Sequence, residues 1–481
     1  MNGHFQAGLA FAMIGLVSPG AAAQGVAPNI NLTKTAGNQY ETSVAINPVN
    51  SNQIFMVSRN ETGGLASARS DNGGATWTSK LLGSRNPPQP GDVPRAYGNA
   101  SIAWDGLGNL YLVYLSQNTP TTPATYVTLS VSTDGGASFY APGGAGSAIL
   151  LPTNVPPYLV GDQPTVAAGP GSAGFPGSVW VTYFSQGGIW VSKAGVSGLG
   201  AIGTLSSQLL PSQPAGVNYG DIAVGPNGQA IVTYGPNTGA SGTIYTNLDP
   251  DGLGSAPFSA YAAVTPVNIG GFSYIPAQPS WGIDPEAGLA WDRSNSAHRG
   301  RIVLVFTDAP FVGSTDTGLF AVHSDDQGAT WSAHVRVDDD PGANSQFLPH
   351  VSMDQTTGMI AVTWYDARNS TANDTAQYFG AFSLDGGASF TPSFQISAGM
   401  SDQALSLPAQ KDADYGDYTG NAFATGLLAP AWGDNSDSTG DNPEGATNFD
   451  VYCAIMRGWP GQPSGESAGS SGARRRGRPW R

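Results

Sequence analysis

Several patterns in this 481-residue chain set ligand-binding or proton-moving side chains at repeated spacings. The triplet Tyr-Gly-Asn/Asp occurs as Tyr97-Gly98-Asn99, Tyr219-Gly220-Asp221 and Tyr415-Gly416-Asp417, with Gly161-Asp162 as a shortened copy. A tyrosine ring can stack on a sugar face while an adjacent carboxylate bonds hydroxyls or moves a proton. The plain alternative is a repeated turn, in which glycine makes the bend and the Asx oxygen bonds the backbone. Asp308 and Asp366 each close an apolar run and form a candidate pair for two-carboxylate glycoside hydrolysis. Carboxyl separation would then fix the outcome, roughly 5–5.5 Å for retention and 6.5–9.5 Å for inversion. The loop from Asp434 through Asp437 and Asp441 to Glu444, and the run Asp338-Asp339-Asp340, offer the oxygen ligands that Ca²⁺ takes. A solvated acidic loop is the alternative for both. His4, His298, His323, His334 and His350 show no paired metal spacing, so zinc chemistry is not expected. No nucleophile elbow, phosphate loop or dinucleotide fingerprint stands out in a strand-to-helix context.

The elements that must carry these residues are read from composition. With 66 Gly, 36 Pro and only 11% charged residues, the chain excludes coiled coils and helical bundles. An aromatic content of 10% within a 40% hydrophobic fraction excludes wholesale disorder. A turn-rich, all-β protein follows. The net charge of −15 is carried by the body, because the segment 457–481 is rich in arginine. An acidic body argues against a nucleic-acid partner, and the tail reads as a solvated, disordered basic end, with surface anchoring as the alternative. Residues 1–23 read as a signal peptide: an apolar stretch, Gly8–Val17, precedes Ser18-Pro19-Gly20 and Ala21-Ala22-Ala23. No other stretch approaches the length of a membrane helix, so the expectation is a secreted or periplasmic monomer without a membrane span. The single Cys453 lies in the alternating run Phe449–Met456 and is expected to be a buried strand residue.

One octapeptide recurs as Ser132–Phe139, Ser324–Trp331 and Ser383–Phe390, with Asp134, Asp326 and Asp385 at its third position; a fourth copy, Ser70–Trp77, has Asn72 there. Asp or Asn bonding nearby amides, glycine at positive φ and an aromatic under the turn describe a hairpin corner. These copies resemble the Asp-box, or bacterial neuraminidase repeat, of the sialidase superfamily. An inner strand followed by a strongly apolar one recurs seven times, from Ser43–Asn47 with Ile54–Val57 to Ala422–Thr425 with Leu428–Trp432. Each unit then adds a strand before the corner and one after it. Four antiparallel strands per unit describe a propeller blade, so the reading is a seven-bladed β-propeller over 24–456, with six blades as the alternative. The segment Asn29–Thr33 stands unpaired and is expected to complete the last blade, removing a free edge.

In such a fold the loops entering the inner strands and those leaving the second strands share the mouth of the central channel, with the Asp-boxes on the opposite rim. The mouth positions are then Glu41, Arg95, Tyr97, Asp162, Tyr219, Asp221, Glu286, His350, Tyr415 and Asp417, together with Arg59, Ser116, Ser185, Asp308, Asp366, Arg368 and Asp434. The superfamily resemblance implies, for an exo-sialidase, an arginine triad clamping the substrate carboxylate, a tyrosine nucleophile paired with a glutamate, and an aspartate acid/base. By position these would be Arg59, Arg95 and Arg368, Tyr415 with Glu286, and Asp162 or Asp92. Substrate contacts would come from Tyr97, Tyr219, Asp221, Asp308, Asp366, His350 and Asp417. The superfamily's early Arg-Ile/Leu-Pro signature is absent. The expected function is therefore an exported propeller that binds a glycan or an extracellular peptide at its mouth. A glycoside hydrolase, sialidase-like or acting on a neutral polysaccharide, is the alternative. No cofactor beyond a possible Ca²⁺ is called for.

Overall fold

The computed structural model describes residues 28–85, 88–117, 125–142, 148–149, 161–185, 187–406 and 414–458. The expected signal peptide and all but the first two residues of the basic tail lie outside these, as does the side chain of Tyr219.

Seven antiparallel sheets surround one axis, and no α-helix occurs among the described residues. Blades 1 to 6 begin with the inner strands Gln39–Ile46, Ala96–Trp104, Asp162–Pro170, Val217–Val224, Gly288–Trp291 and Gln346–Met353. The inner strand of blade 7 is Gly420–Ala424. Its outermost strand is Asn29–Asn31, paired in register with Tyr452–Ala454, so the chain start closes the ring as expected. Asn31 Nδ2 also donates to Asp450 Oδ2 at 2.6 Å, and Thr33 Oγ1 donates to its other oxygen. Six blades is thereby excluded.

The second strands are apolar on both faces because each is covered by a neighbouring blade on either side. Ile302–Asp308 and Leu427–Asp434 are buried along their whole length. Seven apolar clusters result, one in each interface between adjacent blades. Cys453 is a buried member of the cluster between blades 7 and 1.

The four repeated corners follow the third strands of blades 1, 2, 5 and 6. In each, the serine hydroxyl donates to Asn72, Asp134, Asp326 or Asp385, whose side-chain oxygen accepts the amide four residues on. The second box glycine abuts the preceding blade: a Cβ on Gly136 would lie 2.3 Å from the Phe55 ring, and its φ of +86° already favours glycine. Phe139 meets the same Phe55 edge to face at 5.6 Å. The box is thus a bolt between neighbouring blades. Antiparallel strand direction puts these corners on the face opposite the channel mouth.

Candidate functional site at the channel mouth

Every blade contributes to the lining of the central channel, for example through Ser43, Ser101, Gln163, Asp221, Glu286, His350 and Tyr418. The side chains that crowd its mouth are aimed by one repeated distortion. Ser43, Ser101, Thr165, Gly288 and His350 occupy the same rung, opposite Val57, Val113, Thr182, Val305 and Thr363. Two residues before each stands a non-glycine at positive φ: Glu41, Asn99, Gln163, Glu286 and Leu348. In blades 1, 2, 3 and 6 the ladder slips there, as at a bulge. A left-handed non-glycine costs about 1–2 kcal/mol. The position repeats in five blades and is polar in four of them, with Gln163 and Glu286 lining the channel and Leu348 buried in the apolar cluster of blades 6 and 7, as bulges beside functional sites re-aim side chains.

Glu41, 2% exposed, faces Arg59, with Oε1 3.8 Å from Nη1. The guanidinium lies between the rings of Tyr40 and Tyr97, 5.3 Å from each centroid. Gly98 makes room for the arginine stem, since a Cβ there would sit 3.1 Å from its Cδ. Burial pushes the Glu41 carboxyl up to about 8, with Arg59 opposing and Asp417 and Asp162 adding to the rise. Its Oε2 is buried without a hydrogen-bond partner. Asp162 accepts Asn99 Nδ2 at 3.2 Å and is raised by burial. Asp417 accepts Gln163 Nε2 at 2.9 Å and the indole N–H of Trp281, and burial lifts it to about 6. Burial also holds Asp284 at about 8, while Glu286 lies well above the carboxylate range through burial and then the charges of Asp284, Asp417 and Asp221. Among the described residues the channel mouth is therefore a set of carboxyls facing a single guanidinium, and burial and mutual repulsion keep several of them protonated near neutral pH.

A hairpin that interrupts the sevenfold pattern completes this wall. It pairs Ser273–Ile275 with Gln278–Ile283, between blades 4 and 5. The amides of Ser280 and Trp281 donate to Asp414 Oδ2 at 2.8 and 2.9 Å, and Gln278 Nε2 donates to the Gly416 carbonyl at 2.8 Å. Trp281 is thereby brought to Asp417, 136 residues away in sequence.

The structure redistributes the expected residues. Of the three arginines, Arg59 alone stands beside the channel carboxyls. Arg368 turns outward, pairing with Asp366 and Asp339 at 2.8 Å each over the Phe379 ring, and Arg95 forms no ion pair among the described residues. The arginine triad is not formed. Tyr415, expected as a nucleophile, is 1% exposed, donates its hydroxyl to the Ser401 carbonyl at 2.9 Å and packs on Phe347, Tyr365 and Phe449. Tyr418 lines the channel instead, but burial and the charges of Glu41, Asp417 and Glu286 hold its phenol protonated, the reverse of an activated nucleophile.

Asp308 and Asp366 do not form the anticipated pair, because each is engaged by its own loop. Asp308 accepts the amides of Asn268 and Ala309, and Asp366 accepts the Trp364 indole and the Arg368 amide and guanidinium. Asp92 likewise accepts the amides of Gly83 and Val93. His350 does line the channel, and burial lowers its imidazole to about 4, leaving it neutral. Asp221 ties blade 4 to blade 5 by accepting the Leu289 amide at 2.6 Å. Its triplet is therefore not equivalent to Tyr97-Gly98-Asn99: Asp221 shares the rung of Ser101, two residues beyond Asn99.

The three carboxylates expected to ligate calcium are separately engaged. Asp434 accepts the Trp432 indole and the Ser436 amide, Asp437 accepts the Asn442 amide, and Asp441 pairs with Lys34 at 2.6 Å. Among the described residues no group of three His, Cys, Asp or Glu side chains is arranged to hold a metal ion. Asp338, Asp339 and Asp340 point to different partners, respectively Arg336, Arg368 and Gln346. Trp281, Asp284, Asp414 and Tyr418 were not singled out from the sequence, and no spacing rule marks them. Asn99 and Gln163 do carry a signal, a polar residue two places before the small or polar one that opens each inner-strand repeat.

Neither a protein-family model nor a curated protein sequence matches the chain. Among solved structures it is similar to the Hadza microbial sialidase, at 11% identity over 85% of this chain and 74% of that one, with a TM-score of 0.44. It is also similar to the phage phi92 endosialidase, at 12% identity over 93% and 71% with a TM-score of 0.48. A third is the α-L-arabinofuranosidase of Fusarium graminearum in complex with arabinobiose, at 13% identity over 70% and 92% with a TM-score of 0.43. At these identities the likeness is one of fold.

Proposed function

We propose that the protein binds a carbohydrate at its channel mouth. The observation that carries this reading is the Tyr40–Arg59–Tyr97 stack set directly beside the carboxyls of Glu41, Asp162 and Asp417. Tyr40 is buried under the guanidinium, so Tyr97, 43% exposed, is the ring left to a sugar, which offers an apolar face and a rim of hydroxyls. The charge balance favours a neutral glycan over a sialoside. One guanidinium, held between Tyr40 and Tyr97 and 3.8 Å from Glu41, cannot make the triad that clamps a substrate carboxylate, and Asp417, raised only to about 6, adds a negative charge that repels it at neutral pH.

Hydrolysis is the second reading, favoured by Glu286, a channel-lining carboxyl that burial and then the charges of Asp284 and Asp417 keep protonated. A channel-lining carboxyl that stays protonated at neutral pH can donate to a glycosidic oxygen while a neighbour of lower pKa remains ionised. In this reading Glu286 is the acid and Asp417 the base or nucleophile. Export belongs to the same proposal and rests on the residue pattern of 1–23.

The test is a neutral and sialylated glycan array, with a matching fluorogenic glycoside panel, against purified residues 24–456. The expected result is binding of neutral glycans that Tyr97→Ala weakens at least tenfold. Release from a neutral glycoside that disappears in Glu286→Gln establishes the hydrolase. Sialoside turnover overturns the charge argument, and no binding or turnover anywhere on the panels overturns the carbohydrate reading.

A further inference from the structure

The hairpin that brings Trp281 to Asp417 has an outer side that the mouth does not use. Its inner side is fixed: Ile275, Ala277 and Ile283 are buried in one cluster with Phe347, Leu348 and Tyr415. On the outer side Phe272 and Tyr274 are 44% and 60% exposed. Phe272 is a bulky residue at φ +60°, a conformation that costs free energy and turns the ring to solvent. Exposed aromatics on an anchored hairpin mark a contact surface rather than a core defect.

These rings form one wall of a cleft of about 230 Å³, below the roughly 300–1,000 Å³ of sites that enclose a whole small ligand and so of a size for part of a longer one. The other walls are Gly239 and Ala240 from blade 4 and Gly313 and Ser314 from blade 5, with Asn268 and Ser273 supplying polar groups. Both flanking loops leave second strands, so the cleft opens on the same face as the channel. No charged side chain lines it, in contrast to the acidic mouth. Phe272 stands between the two, because it also lines a smaller recess with Asp284 and Asp417.

We propose that this cleft is an outer carbohydrate subsite, taking uncharged sugar units of a chain whose end lies in the channel mouth. The inference rests on the carbohydrate reading of the mouth and adds the substrate class, a neutral oligosaccharide longer than two units. Exposed rings offer stacking faces, and the absence of charge removes any preference for uronic or sialic acid units; Asn268 Nδ2 and the hydroxyls of Ser273 and Ser314 are held by Ala309, Gly270 and Asp316, so stacking is the main contact on offer. Anchoring by Asp414 and the buried cluster means the platform is already ordered, so little ordering entropy opposes binding.

The experiment compares disaccharide and hexasaccharide affinities by calorimetry for four neutral series: cello-, xylo-, manno- and N-acetylchito-oligosaccharides. Wild-type protein is expected to bind the hexasaccharide of one series at least tenfold more tightly than its disaccharide. Tyr274→Ala is expected to remove most of that ratio, since a lost stacking contact of this kind is worth about tenfold. A thermal melt verifies that the variant is folded, and Phe272→Leu, which keeps bulk but not the ring face, is the second variant. Equal wild-type affinities for both lengths overturn the outer subsite while leaving the mouth reading intact. A ratio unchanged in both variants also overturns it. No affinity at either length in any series overturns both.

Discussion

On the rim, Asp326 accepts the hydroxyl and amide of Thr330 and the hydroxyl of Ser324, and these bonds draw its carboxyl down to about 2. At the mouth, Glu41 is sealed among other acids with one oxygen unpartnered, and burial drives it up to about 8. The chemical group is the same and the shifts are opposite. Corners that repeat engage their Asx oxygens locally and bolt blades together. The mouth is where the blades repeat a strained backbone but differ in side chain: Glu41, Asn99, Gln163, Glu286 and Leu348 occupy one position. Regularity here serves closure, and the departures from it gather the groups able to act on a ligand.

The contrast is broken most severely by removing Arg59, the one cation beside the mouth carboxyls among the described residues. Arg59→Leu leaves Glu41, Asp162 and Asp417 without their compensating charge, and breaking a largely buried pair costs about 3 kcal/mol. A large fall in melting temperature and loss of glycan binding are expected. An unchanged melt would show that the acids compensate by proton uptake alone.

Titration sharpens the same comparison because the two faces respond with opposite sign. Glu41 and Asp284 are raised in the folded state to about 8. Their contribution is fully present below the ordinary carboxylate pKa and is lost as pH rises through about 8. Asp326 and Asp385 are lowered, so theirs is present above the ordinary value and lost as pH falls. Thermal melts from pH 3 to 9 should therefore fall at both ends. Glu41→Gln cannot ionise, so it should flatten only the alkaline limb and melt above wild type at pH 8.5. A variant that melts below wild type there would contradict the assignment.

The smallest effect belongs to the rim. Asp385→Ala removes the acceptor of the Ser389 amide and hydroxyl and should lower the melting temperature by about 2 °C. Asp385→Asn should restore nearly all of it. Blade 1 already uses Asn72, whose Nδ2 donates to Thr76 Oγ1 at 2.8 Å, reversing the direction of a bond that the aspartates accept. Ligand affinity should be unmoved in both variants.

Much of the fold is legible in the sequence. The inner-strand repeat, Ser43–Asn47 through Ala422–Thr425, shows the blades, and the corners show the third strands. The unpaired Asn29–Asn31 shows where the ring closes. The candidate site was legible only in part. Glu41, Arg59, Tyr97, Asp162, Glu286 and Asp417 follow from counting strand ends around a ring, and they do lie at the mouth. Asp221 was misjudged because it sits on the rung of Ser101 rather than that of Asn99, and Tyr415 because its triplet precedes the inner strand of blade 7 altogether. Arg368 was misjudged because a strand end fixes the Cα but not the direction of a long side chain, which Asp366 and Asp339 draw outward.

By itself the sequence determined what local chemistry can enforce: strand periodicity, turns fixed by Gly and Asx, and apolar second strands that demand a neighbour on each face. Only the tertiary structure decided which carboxyls become neighbours. Glu41, Asp162, Asp284 and Asp417 come from four separate approaches to the axis, and the hairpin that supplies Trp281 crosses to blade 7 from between blades 4 and 5. Proton affinity depends on burial and on charges brought near through space, and neither is written in spacing along the chain.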